Sequence, residues 1–141
     1  MAHITQHRGK AGENIVSSFF LSKGINTFSP DASSSRDLMI EIDGKFYGVQ
    51  VKTVSRVVDS GKSKRRRYRF YVKRNSKEGD YDPKKVHIYC FVVLNKFNGL
   101  VLFEINKGNR SAYYYYEDQI TFESQDKSFK KLLKNLQLAK V

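Results

Sequence analysis

The dipeptide Asp43-Gly44 separates two short segments in which apolar and polar residues alternate. Alternation with a period of two is typical of half-buried strands, and residues 37–42 and 46–52 both show it. An Asp-Gly pair between two such segments predicts a β-hairpin with a two-residue type I′ turn. We therefore expect an antiparallel strand pair, with a register that follows from the position of the turn.

The predicted register brings three polar side chains onto one face of this hairpin. With the dipeptide at the centre of the turn, counting back sets Asp37 directly opposite Gln50. Opposed residues point to the same side of a sheet, and the two-residue period of a strand adds Lys52 to that side. If the turn is centred one residue later, Asp37 pairs with Lys52 instead, and the three still share a face. A carboxylate, an amide oxygen and an ammonium group so placed can hold a divalent cation beside a phosphate, which is the chemistry of a nuclease.

The net charge of +12 is concentrated in two segments of the 141-residue chain. Residues 54–74 carry nine basic residues against one acidic residue, and residues 126–141 carry five against one, so the rest of the chain is neutral. Such concentration predicts a polyanionic partner, although the simplest interpretation of the C-terminal lysines is the solvent face of a helix. The candidate DNA-binding residues of the first segment are Arg56, Lys62, Lys64, Arg65, Arg66, Arg67, Arg69, Lys73 and Arg74.

Alternation within the basic segment predicts that it forms a strand. Tyr68, Phe70 and Val72 share one face of this strand, and the opposite face is basic. We expect the second strand of the first hairpin to continue to Val58 and to turn back into the basic strand. Such a basic β-hairpin has one packed face and one face for DNA phosphates or the major groove, which admits a two-stranded ribbon. A solvated hairpin and a nuclear-localisation signal are the alternatives for this segment.

The remaining patterns predict a mixed α/β architecture. Helical periodicity indicates one helix near each end of the chain, over residues 9–23 and from about residue 126. Further strands are predicted at residues 25–28, 86–94, 100–105 and 111–116. The nearly continuous apolar run at 86–94 is typical of a central strand covered on both faces. We expect a single domain spanning residues 1–141, with the two helices packed on a mixed sheet.

The sequence also excludes several classes of protein. No apolar stretch approaches the roughly 18 residues of a transmembrane helix, and residues 1–8 lack the apolar core of a signal peptide. Cys90 is the only cysteine, which excludes an intramolecular disulfide. It lies in the apolar run and is expected to be a buried, reduced thiol, which favours a cytoplasmic protein.

The order of the polar residues along the chain resembles that of the PD-(D/E)xK nuclease superfamily. The resemblance covers roughly residues 9–58 and rests on Gly12-Glu13, Ser29-Pro30, Asp37-Leu38 and Gln50-Val51-Lys52-Thr53. That superfamily has a glutamate on a helix, an aspartate at a strand end and a (D/E)xK triplet on the neighbouring strand. Gln50 departs from this pattern, and the small homing endonucleases encoded by group I introns are similar in carrying a QxK triplet. The resemblance implies a restriction-endonuclease-like mixed β-sheet flanked by helices, and sequence-specific hydrolysis of double-stranded DNA.

The resemblance also implies a role for each residue of the site. A Mg²⁺ ion, for which Mn²⁺ can substitute, is expected to be held by oxygen ligands. These catalytic ligands would be Glu13, Asp37, Gln50 and the backbone carbonyl of Val51. Lys52 would position the attacking water or stabilise charge that develops on the phosphate. Asp31, in the loop before Asp37, is a reserve carboxylate.

Three functions remain open on the sequence alone. The first is a Mg²⁺-dependent DNA endonuclease of the homing type, and the second is a structure-selective nuclease similar to Holliday junction resolvases. The third is a non-catalytic nucleic-acid-binding protein in which the loss of a carboxylate at Gln50 has ended activity. A double-strand cut needs two sites, so a homodimer or homotetramer is expected. Residues 113–116 are four tyrosines, which favour an edge strand or a subunit interface over base stacking.

Overall fold

The computed structural model describes residues 2–30, 35–58, 66–72 and 81–138, and the account below is confined to them. Two helices and seven strands follow one another along the chain. These elements are α1 (Ala2–Ser22), β1 (Asn26–Phe28), β2 (Leu38–Ile42), β3 (Lys45–Val54), β4 (Arg67–Tyr71), β5 (Ile88–Val93), β6 (Leu100–Ile105), β7 (Ala112–Tyr116) and α2 (Phe122–Leu138). A short 3₁₀ turn, Glu117–Gln119, links β7 to α2.

Five strands form a mixed sheet in the order β1-β2-β3-β5-β6. Only β3 and β5 pair in parallel, and the other neighbours are antiparallel. All six residues of β5 are buried, as expected of a central strand covered on both faces. The predicted α/β class, with a mixed sheet and a helix from each end of the chain, is confirmed.

The two faces of the sheet carry different layers. On one face, Val16 and Phe20 of α1 and Leu132 of α2 share a core with Val49 and Cys90. On the other face, β4 and β7 form a separate two-stranded sheet, and its aromatic side chains pack on the neighbouring residues of β5 and β6. The alternation of side chains along β3 and β5 therefore divides the interior into two cores. Burial raises the pKa of the Cys90 thiol well above its ordinary value, which agrees with an inert core residue.

The predicted pairing of the basic strand is wrong. Strand β3 ends at Val54, and β4 pairs with β7 along its whole length, with Arg69 opposite Tyr114. Of the expected hairpin, the described residues show a single antiparallel β-bridge, between Val58 and Arg67. The tyrosine segment supplies the partner because its inward side chains and those of β4 complete one aromatic core over β5. The basic residues Lys62, Lys64, Arg65, Lys73 and Arg74 lie outside the described residues.

Both helices begin earlier in the chain than the sequence predicted, and the C-terminal end of α1 at Ser22 agrees with the prediction to within one residue. Helix α1 begins at Ala2 rather than near residue 9, because its first two turns are polar and carry no apolar periodicity. It stops before Gly24, which has a φ of +78°. Helix α2 begins at Phe122, where the Thr121 hydroxyl accepts a hydrogen bond from the Ser124 N–H at 3.0 Å. Within the described residues, neither helix is long and apolar enough to span a membrane.

Candidate active site

The hairpin turn has the conformation that its sequence predicts. Asp43 and Gly44 have φ values of +51° and +78°, as a type I′ turn requires at both central positions. Ile42 pairs with Lys45, and Leu38 pairs with Val49 at the far end. This confirms the first of the two registers, with Asp37 next to Gln50, and the register shifted by one residue is wrong.

The Asp37 carboxylate binds the edge of β3 just before β2 begins at Leu38. Its Oδ2 atom accepts one hydrogen bond from Gln50 Nε2 at 2.7 Å and another from the Val51 backbone N–H at 2.9 Å. The Asp37 N–H donates in turn to the Val49 carbonyl at 2.8 Å. Strand β3 continues in register with β5 to Val54, so its other edge beyond this point has no strand partner. The N–H and C=O of one strand residue point to the same edge, so the Val51 carbonyl faces the Asp37 side as well.

Gln50 presents a free oxygen in a buried position. A carboxylate only accepts hydrogen bonds, so the amide group that faces Asp37 is the NH₂ of Gln50. Gln50 is buried, and its Oε1 atom has no hydrogen-bond partner among the described residues. A buried acceptor without a partner costs roughly 1–3 kcal/mol, and a bound cation would remove that cost. An amide oxygen is a suitable ligand for a hard divalent ion.

Glu13 reaches the same place from α1. Burial raises the pKa of the Glu13 carboxyl above its ordinary value, and the negative charge of Asp37 raises it further, while Lys10 opposes the rise. Burial likewise raises the pKa of Asp37, against the opposing effects of the Val51 N–H and the Lys52 charge. Two partly buried carboxylates that disfavour each other's ionisation form a site that a divalent cation would stabilise. No group of three or more His, Cys, Asp or Glu side chains able to hold a metal occurs in the described part of the chain.

Lys52 is held by a residue that the sequence did not single out. Its Nζ donates to the Tyr81 hydroxyl at 2.9 Å and lies 5.1 Å from the centre of the Tyr81 ring. Tyr81 is buried and also meets Tyr89 edge to face, which fixes its position over the sheet. Tyr81 lies within residues 75–85, which the sequence predicts to be a loop, and neither periodicity nor a motif there marks a functional residue.

A cavity of about 380 Å³ opens beside these groups. Glu13, Val51 and Lys52 line one part of it, and Arg56 and Arg69 line another. This volume falls within the roughly 300–1,000 Å³ of protein sites that bind small ligands. Three of the candidate site residues therefore share one recess with part of the basic segment, while Asp37 and Gln50 are not among its lining residues.

The described basic residues divide between this cavity and the outer face of the two-stranded sheet. Tyr68, Phe70 and Val72 are buried, and Arg67 and Arg69 point the other way, as the alternation predicts. On that outer face, the guanidinium of Arg67 lies 4.4 Å from the centre of the Tyr114 ring, which is 44% exposed. Arg66 is exposed, at the start of β4. Asp31, the reserve carboxylate, lies outside the described residues.

No protein-family model matches the sequence, and no curated protein matches it. Among solved structures, the chain is similar to a bacterial homing endonuclease, I-Ssp6803I, with a TM-score of 0.58. This chain shares the fold of that endonuclease. The sequence identity is 19%, and the match covers 80% of this chain and 75% of the other.

We expect the close contact between α1 and β3 to make Gly12 sensitive to substitution. A methyl group at Gly12 would overlap the Thr53 side-chain oxygen, and Thr53 is stiff because it is β-branched. Gly12→Ala should lower the free energy of unfolding by roughly 1–3 kcal/mol, measured by urea denaturation, despite the higher helix propensity of Ala. Gly9→Ala is the matched control, because a methyl group there meets nothing within 4 Å and should stabilise the helix. Thr53→Ala should restore the loss in a Gly12→Ala background, and equal effects of the two glycine variants would contradict the contact.

Proposed function

We propose that this protein is a Mg²⁺-dependent endonuclease of the PD-(D/E)xK type that cuts double-stranded DNA at a specific sequence. One observation carries the proposal. Asp37 accepts hydrogen bonds from Gln50 and Val51, and this leaves the buried Gln50 Oε1 without a partner among the described residues, next to the Asp37 carboxyl, whose pKa is raised. The shared fold with a homing endonuclease supports the same conclusion.

The residues present fit a hard divalent cation. All of the candidate ligand atoms are oxygens, which a hard divalent cation prefers. They belong to Glu13, Asp37, the Gln50 amide and the Val51 carbonyl. The Gln50 oxygen lacks a hydrogen-bond partner among the described residues. Bound there, Mg²⁺, or Mn²⁺ in its place, would polarise the scissile phosphate and lower the pKa of an attacking water. Lys52 is placed by Tyr81 to stabilise negative charge that develops on the phosphate.

DNA binding is assigned to the basic residues on the cavity and on the outer face of the two-stranded sheet. Arg56 and Arg69 line the cavity, and Arg67 lies on the Tyr114 ring at the sheet surface. Lysine and arginine side chains neutralise phosphates, and arginines also read guanine in the major groove. We include the basic residues outside the described segments in this proposal on the basis of the sequence alone. They are Lys62, Lys64, Arg65, Lys73 and Arg74.

The decisive experiment is cleavage of a randomised duplex library with Mg²⁺, followed by sequencing of the cut ends. Enrichment of one sequence at the ends supports a site-specific endonuclease, and preference for a four-way junction over linear duplex would favour a structure-selective nuclease. A non-catalytic DNA-binding protein is the second candidate, because Gln50 replaces a carboxylate of the superfamily pattern. Duplex binding without cleavage in either Mg²⁺ or Mn²⁺ would establish that candidate.

We expect Gln50 to set the affinity of the site for metal. A neutral amide binds a divalent cation more weakly than a carboxylate does, so Gln50→Glu should tighten Mg²⁺ binding by DNA-free protein at least several-fold. Gln50→Ala should raise the Mg²⁺ concentration needed for half-maximal cleavage. Calorimetric titration of the free proteins and Mg²⁺ titration of cleavage measure the two effects. Superimposable curves for the three proteins would show that Gln50 does not contact the metal.

The active protein is expected to be a homodimer or homotetramer. One subunit has one candidate site, whereas a double-strand cut needs two strands hydrolysed, and two-fold symmetry matches a pseudo-palindromic target. Light scattering should give a mass of at least twice 16.4 kDa at micromolar concentration, with or without DNA. The tyrosine strand and the apolar face of α2 are already used within the subunit, by β4 and by β6. A monomeric mass in both conditions would contradict the assembly.

A further inference from the structure

Three arginines line the cavity beside the candidate metal ligands. Arg8 belongs to α1, Arg56 follows the end of β3, and Arg69 lies on β4. Thr53 and Ser55 are also among the lining residues, although the Thr53 hydroxyl itself is buried against Gly12 of α1. Three elements that are distant in sequence therefore place guanidinium groups around one recess, which only the folded chain can do.

The charges of this recess are not balanced among the described residues that line it. Four basic residues line it against one acidic residue, Glu13. Arg8 and Arg56 form no hydrogen bond or ion pair with any other residue in the described segments, and both are exposed. Arg69 is held by stacking at 4.6 Å on the Tyr71 ring. A recess with unpaired guanidinium groups is suited to a phosphate.

Within this recess, Arg8 and Arg56 lie away from the candidate metal ligand Glu13 and from Lys52. Arg8 precedes Glu13 by five residues in α1, which is about 7.5 Å along the helix axis. Arg56 lies four residues beyond Lys52 along the chain, past the end of β3. The arginines are thus displaced from the carboxylates, which would hold the metal ion beside the phosphate that is cut.

We propose that this cavity binds a second phosphate of the cleaved strand, adjacent to the phosphate that is cut, and that Arg8 and Arg56 hold it together. The inference rests on the proposed endonuclease function and assigns a role to Arg8, which belongs to no motif and to neither basic segment. Fixing the strand at a neighbouring phosphate orients the scissile bond against the metal site and Lys52, which is how positioning residues accelerate a reaction. Arg8 and Arg56 are therefore positioning residues.

The first test is a double-mutant cycle on DNA affinity in EDTA, with a duplex of arbitrary sequence and fluorescence anisotropy. Arg8→Ala and Arg56→Ala should each weaken binding roughly tenfold, because each removes charged hydrogen bonds to the phosphate. If both side chains hold one phosphate, the double variant should lose clearly less than the product of the two single effects. Lys134→Ala, a charge removed from the exposed face of α2, is the matched control and should combine multiplicatively with Arg56→Ala. Multiplicative loss for the arginine pair, or no loss, would overturn the proposal, and circular dichroism confirms that each variant is folded.

The second test places one neutral methylphosphonate at successive positions of the cleaved duplex that the library experiment identifies. For the wild-type protein, neutralising the phosphate next to the cut should slow cleavage roughly tenfold or more. For Arg56→Ala the same substitution should have little further effect, while Arg56→Lys should retain part of the sensitivity. Equal sensitivity of all three proteins would overturn the phosphate pocket and leave the endonuclease intact. If no duplex is cleaved at all, the proposed function fails, and the binding cycle still decides whether the two arginines share a phosphate.

Discussion

Replacing Asp37 by Asn is expected to reduce DNA cleavage by about 1,000-fold or more, because metal-assisted activation of a phosphate supplies several kcal/mol and requires the carboxylate. The Asn side chain retains an oxygen that can accept the hydrogen bonds from Gln50 and Val51. DNA affinity in EDTA should stay within a few-fold of wild type, because the basic residues that bind phosphates are unchanged in this variant. Single-turnover cleavage and anisotropy titrations measure the two quantities.

The stability of the same variant separates a functional carboxylate from a structural one. The pKa of Asp37 is raised in the folded state above its ordinary value of 3.8, so the folded protein binds the proton more tightly than the unfolded chain does. Wild-type stability should therefore fall as the pH rises from the unfolded pKa to the folded pKa, and then level off. Asp37→Asn does not titrate, so its stability relative to wild type should increase over that interval in urea unfolding with EDTA. Parallel losses of stability, binding and cleavage would show that Asp37 is structural instead.

Lys52→Ala should reduce cleavage by roughly 100-fold or more, because one preorganised group that stabilises transition-state charge contributes about that much. DNA affinity should again change only a few-fold. Tyr81→Phe is a useful comparison, because it removes the hydroxyl that accepts from Lys52 at 2.9 Å and keeps the ring beneath the ammonium group. We expect it to slow cleavage far less than Lys52→Ala does.

The comparison between these two variants also tests the assignment of Lys52. If Lys52 only supported Tyr81 in the core, the alanine variant would lose stability in proportion to activity. Chemical denaturation of both variants, run beside single-turnover cleavage, distinguishes the two cases. A Lys52→Ala protein that cuts DNA at the wild-type rate would remove Lys52 from the proposed mechanism.

The hairpin at the centre of the site could be predicted because its determinants are local. A two-residue turn with positive φ at both positions favours the Asp43-Gly44 dipeptide, and the turn then sets every pair along the two strands. The placement of Asp37 beside Gln50 follows directly. The sequence left two registers open, and the observed turn selects the first.

The contacts around this hairpin could not be predicted in the same way. Nothing in the residues near Tyr81 indicates that its hydroxyl meets Lys52, since the two positions are 29 residues apart. Glu13 was selected through a family resemblance, and its pKa depends on how closely α1 packs on β3 at Gly12. Arg8 lies in helical turns without apolar periodicity, so the sequence predicts the helix only from residue 9 and does not predict the extension that carries Arg8 or the cavity that it lines.

The sequence by itself determined the elements whose patterns repeat over a few residues: the hairpin turn and register, the buried strand β5, the stop of α1 at Gly24, and the two faces of the basic strand. Tertiary structure alone decided which strand pairs with β4. Alternation specifies which side chains of a strand are buried, yet it does not specify the partner, because a strand pairs with any neighbour that completes the core. Residues 112–116 bring tyrosines that extend the aromatic core around Phe91, so they displace the strand that is nearer in sequence.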